Sequence, residues 1–266
     1  MPATPKLSNP AIEAMRSGKA AMGLSVRLAR SPEIVRIAKA TGHHFLFIDG
    51  QHAVFNAETI VNLASTALAI GVAPMVRVRS PTDADVPMLL DNGVSGIIFP
   101  DVNTAAEARR CVEMTKFAPI GRRSVGAVFP QFNGEAVPIA DAIREINAST
   151  VCCVMVETAK GLENVEAIAK VPGIDVIHVG TNDLMVDLGK PGRLDDPAVD
   201  AALDRVIAVC KAHDIYAGCG GIRDVARQAA VIRRGARFLT TQSDTGFLLA
   251  AAKAWTDGVN AKVAEG

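Results

Sequence analysis

The sequence predicts a (β/α)8 TIM barrel, in which eight parallel strands form a closed barrel inside a ring of helices. Eight short apolar runs alternate with longer amphipathic segments along the 266 residues, and such barrels usually contain about 250 residues. Hydrophobic residues make up 49% of the chain but aromatic residues only 4%, so small aliphatic side chains fill the core, as is typical of parallel strands. A doubly wound open sheet is less favoured, because no glycine-rich nucleotide turn follows the first strand.

The elements follow one another without a break in composition, which predicts one domain over residues 1–266. A short helix is expected first, at about Asn9 to Ser17. The eight predicted strands, in chain order, are AAMGLSVRL, HFLFIDGQH, APMVRV, SGIIFP, VCCVMV, VIHV, YAGCGG and RFLTTQS.

Helices are predicted between these strands. Ser31 is the expected N-cap of the first, with Pro32 in its first turn. Asn56 caps the next, and its apolar face comprises Ile60, Leu63, Ala64, Ala67 and Leu68. Between strands five and six, the helical face comprises Leu162, Val165, Ile168 and Ala169. The other predicted helices are PTDADVPMLLDNG, TAAEARRCVEMTKF, PAVDAALDRVIAVCKAHD, RDVARQAAVIRRGA and DTGFLLAAAKAWTDGVNAKVA. Residues 118–148 are expected to form one long irregular connection.

Composition excludes several classes of partner. The formal net charge is +0, which gives no support for binding to nucleic acid or to an anionic membrane. No apolar run approaches the roughly 20 residues of a membrane helix, and the N-terminal MPATPKLSNP lacks the apolar core of a signal peptide. Five cysteines, two of them adjacent at Cys152 and Cys153, show neither metal nor disulfide spacing. The predicted location is the reducing cytoplasm.

Two carboxylates follow neighbouring strands, Glu157 after strand five and Asp183 after strand six. The carboxyl ends of parallel strands share one rim of the sheet, so these side chains are expected to lie close together. Hard oxygen ligands of this kind suit Mg²⁺ or Mn²⁺. The alternative is that both residues only cap the helices that follow them.

Other polar residues also lie at strand ends. Strand two ends with Asp49 and is followed closely by His52, although the pair could equally be turn and loop residues. Arg77 lies within the apolar run PMVRV, where a buried guanidinium needs an anionic partner such as a substrate carboxylate. Arg79 could serve instead or pair with a neighbouring acid, and the pattern does not separate the two arginines.

The remaining polar residues and the site as a whole indicate the following roles. The four histidines His43, His44, His178 and His213 are interpreted as structural. Arg122 and Arg123 could bind a second anionic group or form a solvated face. An arginine for a carboxylate, a metal held by two carboxylates and a histidine near an aspartate together favour enolate chemistry on a 2-oxo acid. No lysine ends a central strand, so Schiff-base aldol chemistry is less favoured.

Six motifs resemble those of the HpcH/HpaI family of metal-dependent (class II) pyruvate aldolases, over nearly the whole chain. They are FIDGQH, PMVRV, GIIFPDVNTAAEA, PIGRRSVG, VMVETAKGLENVEAI and HVGTNDLMVDLG. The resemblance implies a barrel of the phosphoenolpyruvate/pyruvate-binding type. It also implies a homo-oligomer, a hexamer built as a trimer of dimers, in which the C-terminal helix (about residues 244–264) is exchanged with a neighbouring subunit.

The resemblance assigns roles to residues. Glu157 and Asp183 would bind the divalent metal, which is Mg²⁺ or Mn²⁺, with Co²⁺, Ni²⁺ or Zn²⁺ as alternatives. Arg77 would hold the pyruvyl part, and His52 with Asp49 would transfer protons, through a metal-bound water. The remaining substrate-binding residues would be Thr181 and Asn182 at the substrate carboxylate, Met155 near the metal, and Arg123 on the aldehyde side.

Three residues depart from the family pattern. Many relatives have glutamate in place of Gln51, glutamine in place of Met155, and proline in place of Thr181. Strand alternation points Met155 and Glu157 to the same side, so a polar contact near the metal is replaced by a thioether. These changes leave the metal ligands and Arg77 in place but make the substrate uncertain.

The predicted function is a divalent-metal-dependent aldolase that forms or cleaves 4-hydroxy-2-oxo acids, from a pyruvate or hydroxypyruvate enolate and an aldehyde. A CoA-ester lyase of the citrate or malyl type is the first alternative, but it would need an extended basic surface for the CoA phosphates. A non-catalytic metal-binding relative is the second, because Gln51 and Met155 depart from the pattern.

Overall fold

The computed structural model describes residues 5–126 and 129–265. Its eight strands pair in parallel in the order of the sequence, and β8 returns to pair with β1, which closes the barrel. The strands are β1 (Ala21–Val26), β2 (Phe45–Asp49), β3 (Ala73–Arg77), β4 (Gly96–Phe99), β5 (Val151–Val156), β6 (Val176–Gly180), β7 (Tyr216–Gly220) and β8 (Phe238–Ser243). The predicted fold class is therefore confirmed.

The helices lie outside the strands, apart from α1. They are α1 (Pro10–Arg16), α2 (Glu33–Ala40), α3 (Ala57–Ile70), α4 (Val86–Asp91), α5 (Ala105–Thr115), α6 (Ile139–Ser149), α7 (Ala159–Glu163), α8 (Val165–Ala169), α9 (Thr181–Asp187), α10 (Pro197–Ala212), α11 (Val225–Arg234) and α12 (Asp244–Glu265). Among the described helices, none is both long and apolar enough to cross a membrane.

Two apolar layers position the site. The outer layer lies between the strands and the surrounding helices, and its buried cluster includes Ile177 of β6 and Leu203 of α10, two elements that are in contact. The inner layer fills the barrel, where the rings of Phe45 and Phe238 stack with their centroids 4.3 Å apart. Helix α1 belongs to this inner layer and so closes the N-terminal end of the barrel. The open end is therefore the C-terminal one, where catalytic groups are found in this fold.

Four expectations for the helices need correction. Residues 118–148 are not irregular throughout, because they contain a 3-10 turn at Pro130–Phe132 and most of α6, whose Ala142 and Ile146 are buried beside Phe117. Residues 127 and 128 of this connection lie outside the described residues. The expected helix between β5 and β6 is two short ones, and it breaks at Asn164, whose amide donates to the Asn103 carbonyl oxygen (2.8 Å).

The other two corrections concern helix starts. Pro32 occupies the N-cap of α2, one residue after Ser31, although the Ser31 hydroxyl accepts from the Glu33 N–H (3.3 Å). Helix α4 begins only at Val86, because the preceding Asp83 is held by Arg79. Asn56 caps α3 as predicted.

Helix α12 is poorly covered by its own chain. Of its 22 residues only Asp244 is buried. Its exposed large apolar side chains are Phe247, Leu248, Leu249, Trp255, Val259 and Val263. An apolar surface of this length on a terminal helix is typical of a protein–protein contact.

Candidate active site

A cavity of about 200 Å³ lies at the C-terminal ends of the strands. The structure brings seven of the predicted site residues to its wall, which are Asp49, His52, Arg77, Met155, Thr181, Asn182 and Asp183. Asp183 lies at the boundary of this central cavity with a second one of about 270 Å³, which Glu157 also lines. The strand ends therefore gather most of the predicted site into two adjoining cavities.

Arg77 is paired within the chain. Pairing of β2 with β3 places Arg77 opposite Asp49, and the guanidinium donates from Nε to Asp49 Oδ1 (3.0 Å) and from Nη2 to Oδ2 (2.8 Å). Burial opposes ionisation of Asp49, but the hydrogen bonds and charge of Arg77, with the backbone N–H of His52 and the charge of Arg27, hold its pKa below the ordinary value. Asp49 is therefore an ionised partner of Arg77.

The two neighbouring arginines lie in different surroundings. Arg79 donates to Asp83 and also pairs with Asp85, and the central cavity wall does not include it. Arg27, which sequence reasoning missed, lines the cavity and places its Nε 3.2 Å from Asp49 Oδ2. Of the two arginines that the sequence left open, Arg77 lines the central cavity and Arg79 does not.

His52 is exposed and lies where the two cavities meet. Its backbone N–H donates to Asp49 Oδ1 (3.1 Å), as does that of Gln51 (3.2 Å). These contacts fix the turn after β2, but no hydrogen bond joins the His52 ring to the Asp49 carboxylate. The structure therefore places the histidine at the site through its backbone.

Glu157 is the most perturbed acid of the site. Its Oε1 accepts from the backbone N–H of Asp101 (2.8 Å), a residue in the left-handed region (φ 54°). Its Oε2 is buried without a hydrogen-bond partner among the described residues. Burial, with the nearby charges of Asp101 and Asp183, raises the pKa of Glu157 to about 7. Gly180 makes this arrangement possible, since a Cβ there would lie 2.3 Å from Oε2.

The donor set suits a hard divalent cation. Glu157, whose Oε2 has no partner in the described part of the chain, lines one cavity with Asp183, Asp101 and Asp187. Within residues 5–126 and 129–265, no group of three or more metal-ligating side chains has formed. Mg²⁺ fits such a site, because it keeps several waters and needs only one or two carboxylates.

The other predicted substrate residues differ in their surroundings. Met155 is buried and lies opposite His178 in the pairing of β5 with β6. Thr181 and Asn182 begin helix α9, which was not predicted, and the Thr181 hydroxyl donates to the Gly220 carbonyl oxygen (2.8 Å). Their side chains line the central cavity together with that of Met155.

Arg123 lies outside both cavities. Its side chain is fully buried, its Nη2 donates to Asp91 Oδ1 (2.7 Å), and its guanidinium lies 4.4 Å from the centre of the Phe117 ring. Its Nε and Nη1 have no partner among the described residues. Within one chain, the structure does not bring Arg123 to the remaining site residues, and the expected place on the aldehyde side stays a prediction.

Three further cavity residues were missed or given other roles. His178, interpreted from sequence as structural, lines the central cavity, as do Arg223 and Thr240. The alternation in VIHVG was the available signal, because it places the side chain of His178 on the same face of β6 as Gly180. Arg223 follows β7 by three residues, and no pattern marked it.

Known proteins resemble this chain over most of its length. The family described as HpcH/HpaI aldolase/citrate lyase matches residues 26–251. A 4-hydroxy-4-methyl-2-oxoglutarate aldolase of Chaetomium globosum is 35% identical over 241 residues, which are 89% of each chain. A 2-keto-3-deoxy-L-rhamnonate aldolase of Salmonella gallinarum is 30% identical over 239 residues, which are 90% of this chain and 88% of the relative.

A solved structure has a similar fold. The HpcH/HpaI aldolase of Desulfitobacterium hafniense superposes with a TM-score of 0.88 and 28% identity, over 93% of this chain and 95% of that one. The family match spans β2 to β8 in full and the last residue of β1. The chain therefore belongs to the HpcH/HpaI aldolase/citrate lyase family.

Proposed function

We propose that this protein is a divalent-metal-dependent aldolase that cleaves 4-hydroxy-2-oxo acids to pyruvate and a carbonyl compound, and catalyses the reverse addition. The observation that carries the proposal is the buried Glu157 Oε2, which has no hydrogen-bond partner among the described residues and lies beside Asp183, near the cavity that holds the Arg77–Asp49 pair. The two curated relatives described above are themselves named aldolases, which supports a lyase that cleaves carbon–carbon bonds.

Glu157 and Asp183 would hold the metal, for which we favour Mg²⁺ or Mn²⁺ because every candidate ligand is an oxygen. A divalent cation bound there supplies the positive charge that stabilises an enolate oxygen. The pKa of about 7 for Glu157 supports this assignment, since a buried carboxylate with a raised pKa gains most from a cation.

Side chains of the protein would bind the substrate and transfer its proton. Arg77, fixed by Asp49, presents a positive charge to the pyruvyl carboxylate. During cleavage His52 would take the proton from the hydroxyl oxygen on C4 and then deliver a proton to C3 of the enolate, and during addition it would act in the reverse order. Met155 adds a largely apolar surface close to Glu157, and Thr181 and Asn182 would position the 2-oxo acid.

Assays of the purified protein test the proposal. Pyruvate or hydroxypyruvate with a panel of aldehydes should give aldol products in the presence of Mg²⁺ or Mn²⁺, and EDTA should stop the reaction. Activity that survives exhaustive chelation would refute the metal-dependent mechanism. Cleavage of citryl- or malyl-CoA without any aldol activity would instead support a CoA-ester lyase.

We also propose that the active form is a homo-oligomer in the cytoplasm, a hexamer in which neighbouring subunits exchange α12. The exposed apolar side chains of this helix support such a contact, and five buried, unpaired cysteines support a reducing compartment. Light scattering should give the mass of six chains, and Trp255→Glu should lower it. Monomeric wild-type protein at micromolar concentration would contradict the assembly.

A further inference from the structure

One side of the central cavity carries polar groups that the proposed mechanism does not use. These are Arg223, which follows β7, His178 on β6 and Thr240 on β8. All three line the same cavity as Arg77, on neighbouring strands of the barrel. Because unused polar groups at a cavity wall need a partner, they point to a ligand group not yet assigned.

Arg223 places an exposed positive charge at the cavity wall. Its Nη1 donates to the carbonyl oxygens of Thr240 (3.3 Å) and Thr241 (2.9 Å), which ties the guanidinium to β8. It makes no ion pair with a described residue. Partial burial and the charges of Arg27 and Arg77 lower its pKa, yet an arginine stays protonated at any working pH. An anion at this position would relieve that repulsion.

Thr240 and His178 add hydrogen-bonding groups beside it. Both side chains are buried, and Thr240 Oγ1 and His178 Nδ1 have no partner among the described residues. Burial, with the charges of Arg77 and Arg223, lowers the pKa of His178 to about 3, so the ring is neutral and one nitrogen carries a proton. Glycines at 218 and 220 make room for this ring, because a Cβ at either would lie 2.6 Å from a ring nitrogen.

The charges in the cavity indicate the kind of ligand. Three guanidinium groups line it, and Arg27 and Arg77 share the single carboxylate of Asp49. The remaining acid in the wall, Asp183, also faces the cavity that holds Glu157. A guanidinium with a hydroxyl and an imidazole N–H forms a donor set that matches a carboxylate.

We propose that Arg223, with Thr240 and His178, binds a second carboxylate of the substrate, the one carried by the carbonyl product. This inference rests on the aldolase function proposed above. Because Arg77 and Arg223 line one cavity of only about 200 Å³, the two carboxylates must be close in the molecule. The substrate class is therefore a 4-hydroxy-2-oxo acid with a carboxylate on C4.

The chemistry balances without a further reactant. Cleavage breaks the C3–C4 bond, and its electron pair stays with C3 as the enolate of pyruvate. The C4 hydroxyl loses its proton and becomes a carbonyl, and a proton returned to C3 completes pyruvate. With a carboxylate on C4, the second product is itself a 2-oxo acid. Arg223 touches only the carboxylate in this scheme, so it governs the choice of substrate.

Two substrates that differ only at C4 test the inference. 4-Hydroxy-4-methyl-2-oxoglutarate carries the second carboxylate, and 4-hydroxy-2-oxopentanoate has hydrogen in its place. Arg223→Gln should lower kcat/KM for the first by about 100-fold, the loss expected for a hydrogen bond between charged groups. It should leave kcat/KM for the second within about threefold, and Arg223→Lys should recover part of the loss.

Arg233→Gln is the matched control, because Arg233 is an exposed arginine of α11 outside this cavity. It should leave both substrates unaffected, and thermal melting should show that each variant is folded. Equal losses on both substrates, or no loss on either, would overturn the carboxylate site while leaving the aldolase function intact. Wild-type protein that cleaves neither substrate with Mg²⁺ or Mn²⁺ would refute the aldolase function itself.

Discussion

Glu157→Gln is expected to stabilise the metal-free protein at alkaline pH. The Glu157 carboxylate is buried to 2% exposure, and one of its oxygens has no hydrogen-bond partner among the described residues. Ionising it without a cation leaves an uncompensated buried charge beside Asp101 and Asp183. Glutamine has nearly the same shape and cannot ionise, so it removes that cost.

The size of the effect follows from the two pKa values of Glu157. The carboxyl loses its proton near pH 4.5 in the unfolded chain but near pH 7 in the folded one. Between these values the folded state binds more protons, so the free energy of unfolding falls as the pH rises. Each tenfold difference in proton affinity corresponds to about 1.4 kcal/mol, which gives a total loss of about 3 kcal/mol above pH 7.

Urea denaturation with EDTA, at fixed ionic strength and protein concentration, measures this loss. From pH 5 to pH 8 the wild type should lose about 2 to 3 kcal/mol relative to Glu157→Gln. Glu58→Gln, which alters an exposed glutamate of α3, should instead follow the wild type. Parallel stability curves for wild type and Glu157→Gln would refute the reasoning, because Glu157 would then ionise as easily in the folded protein as in the unfolded chain.

Three further changes test the catalytic assignments. Arg77→Ala should lower kcat/KM for 2-oxo acids, with a rise of about 2 to 4 kcal/mol in the activation free energy, because it removes a charged contact and leaves the buried Asp49 without its partner. Arg77→Lys should restore little of this activity. Normal kinetics of Arg77→Ala would contradict the assigned role. His52→Ala should lower kcat by about 10²- to 10⁴-fold while metal binding persists; exchange of the pyruvate methyl protons with deuterated water should slow in parallel, and an unchanged exchange rate would place the base elsewhere. Met155→Gln should change the relative kcat/KM values for pyruvate, hydroxypyruvate and three aldehydes by about tenfold, which corresponds to the free energy of about one neutral hydrogen bond. Unchanged relative values would show that Met155 only packs the barrel interior.

The barrel could be predicted from the sequence because local residue patterns determine its strands and helices. Alternating apolar runs and capped helices identify the strands and helices, and the carboxyl ends of parallel strands must share one rim. Glu157 and Asp183 could therefore be placed at neighbouring strand ends without coordinates. Helix α9, which begins at Thr181, was missed because it spans only seven residues and follows β6 directly.

Contacts between individual side chains could not be predicted from the sequence in this way. Arg77 was expected to need an anion, and its position in an apolar run indicated as much, but its partner in the chain is Asp49. That pairing depends on the register of β2 with β3, which local sequence does not determine. The position of Arg123 was also not predictable from local sequence. This side chain is buried against Phe117 and Asp91, in contacts between α4 and the long connection.

The register also connects two residues that the sequence treated separately. Met155 and His178 face each other on β5 and β6, and neighbouring strands lie about 4.8 Å apart. A glutamine at 155 could hydrogen-bond the neutral imidazole, whereas a thioether accepts only weakly. Met155 therefore leaves His178 free to bind a ligand group. On this reasoning the departure at 155 and the carboxylate site around Arg223 are parts of one arrangement, and Met155→Gln should weaken binding of a C4 carboxylate more than that of pyruvate.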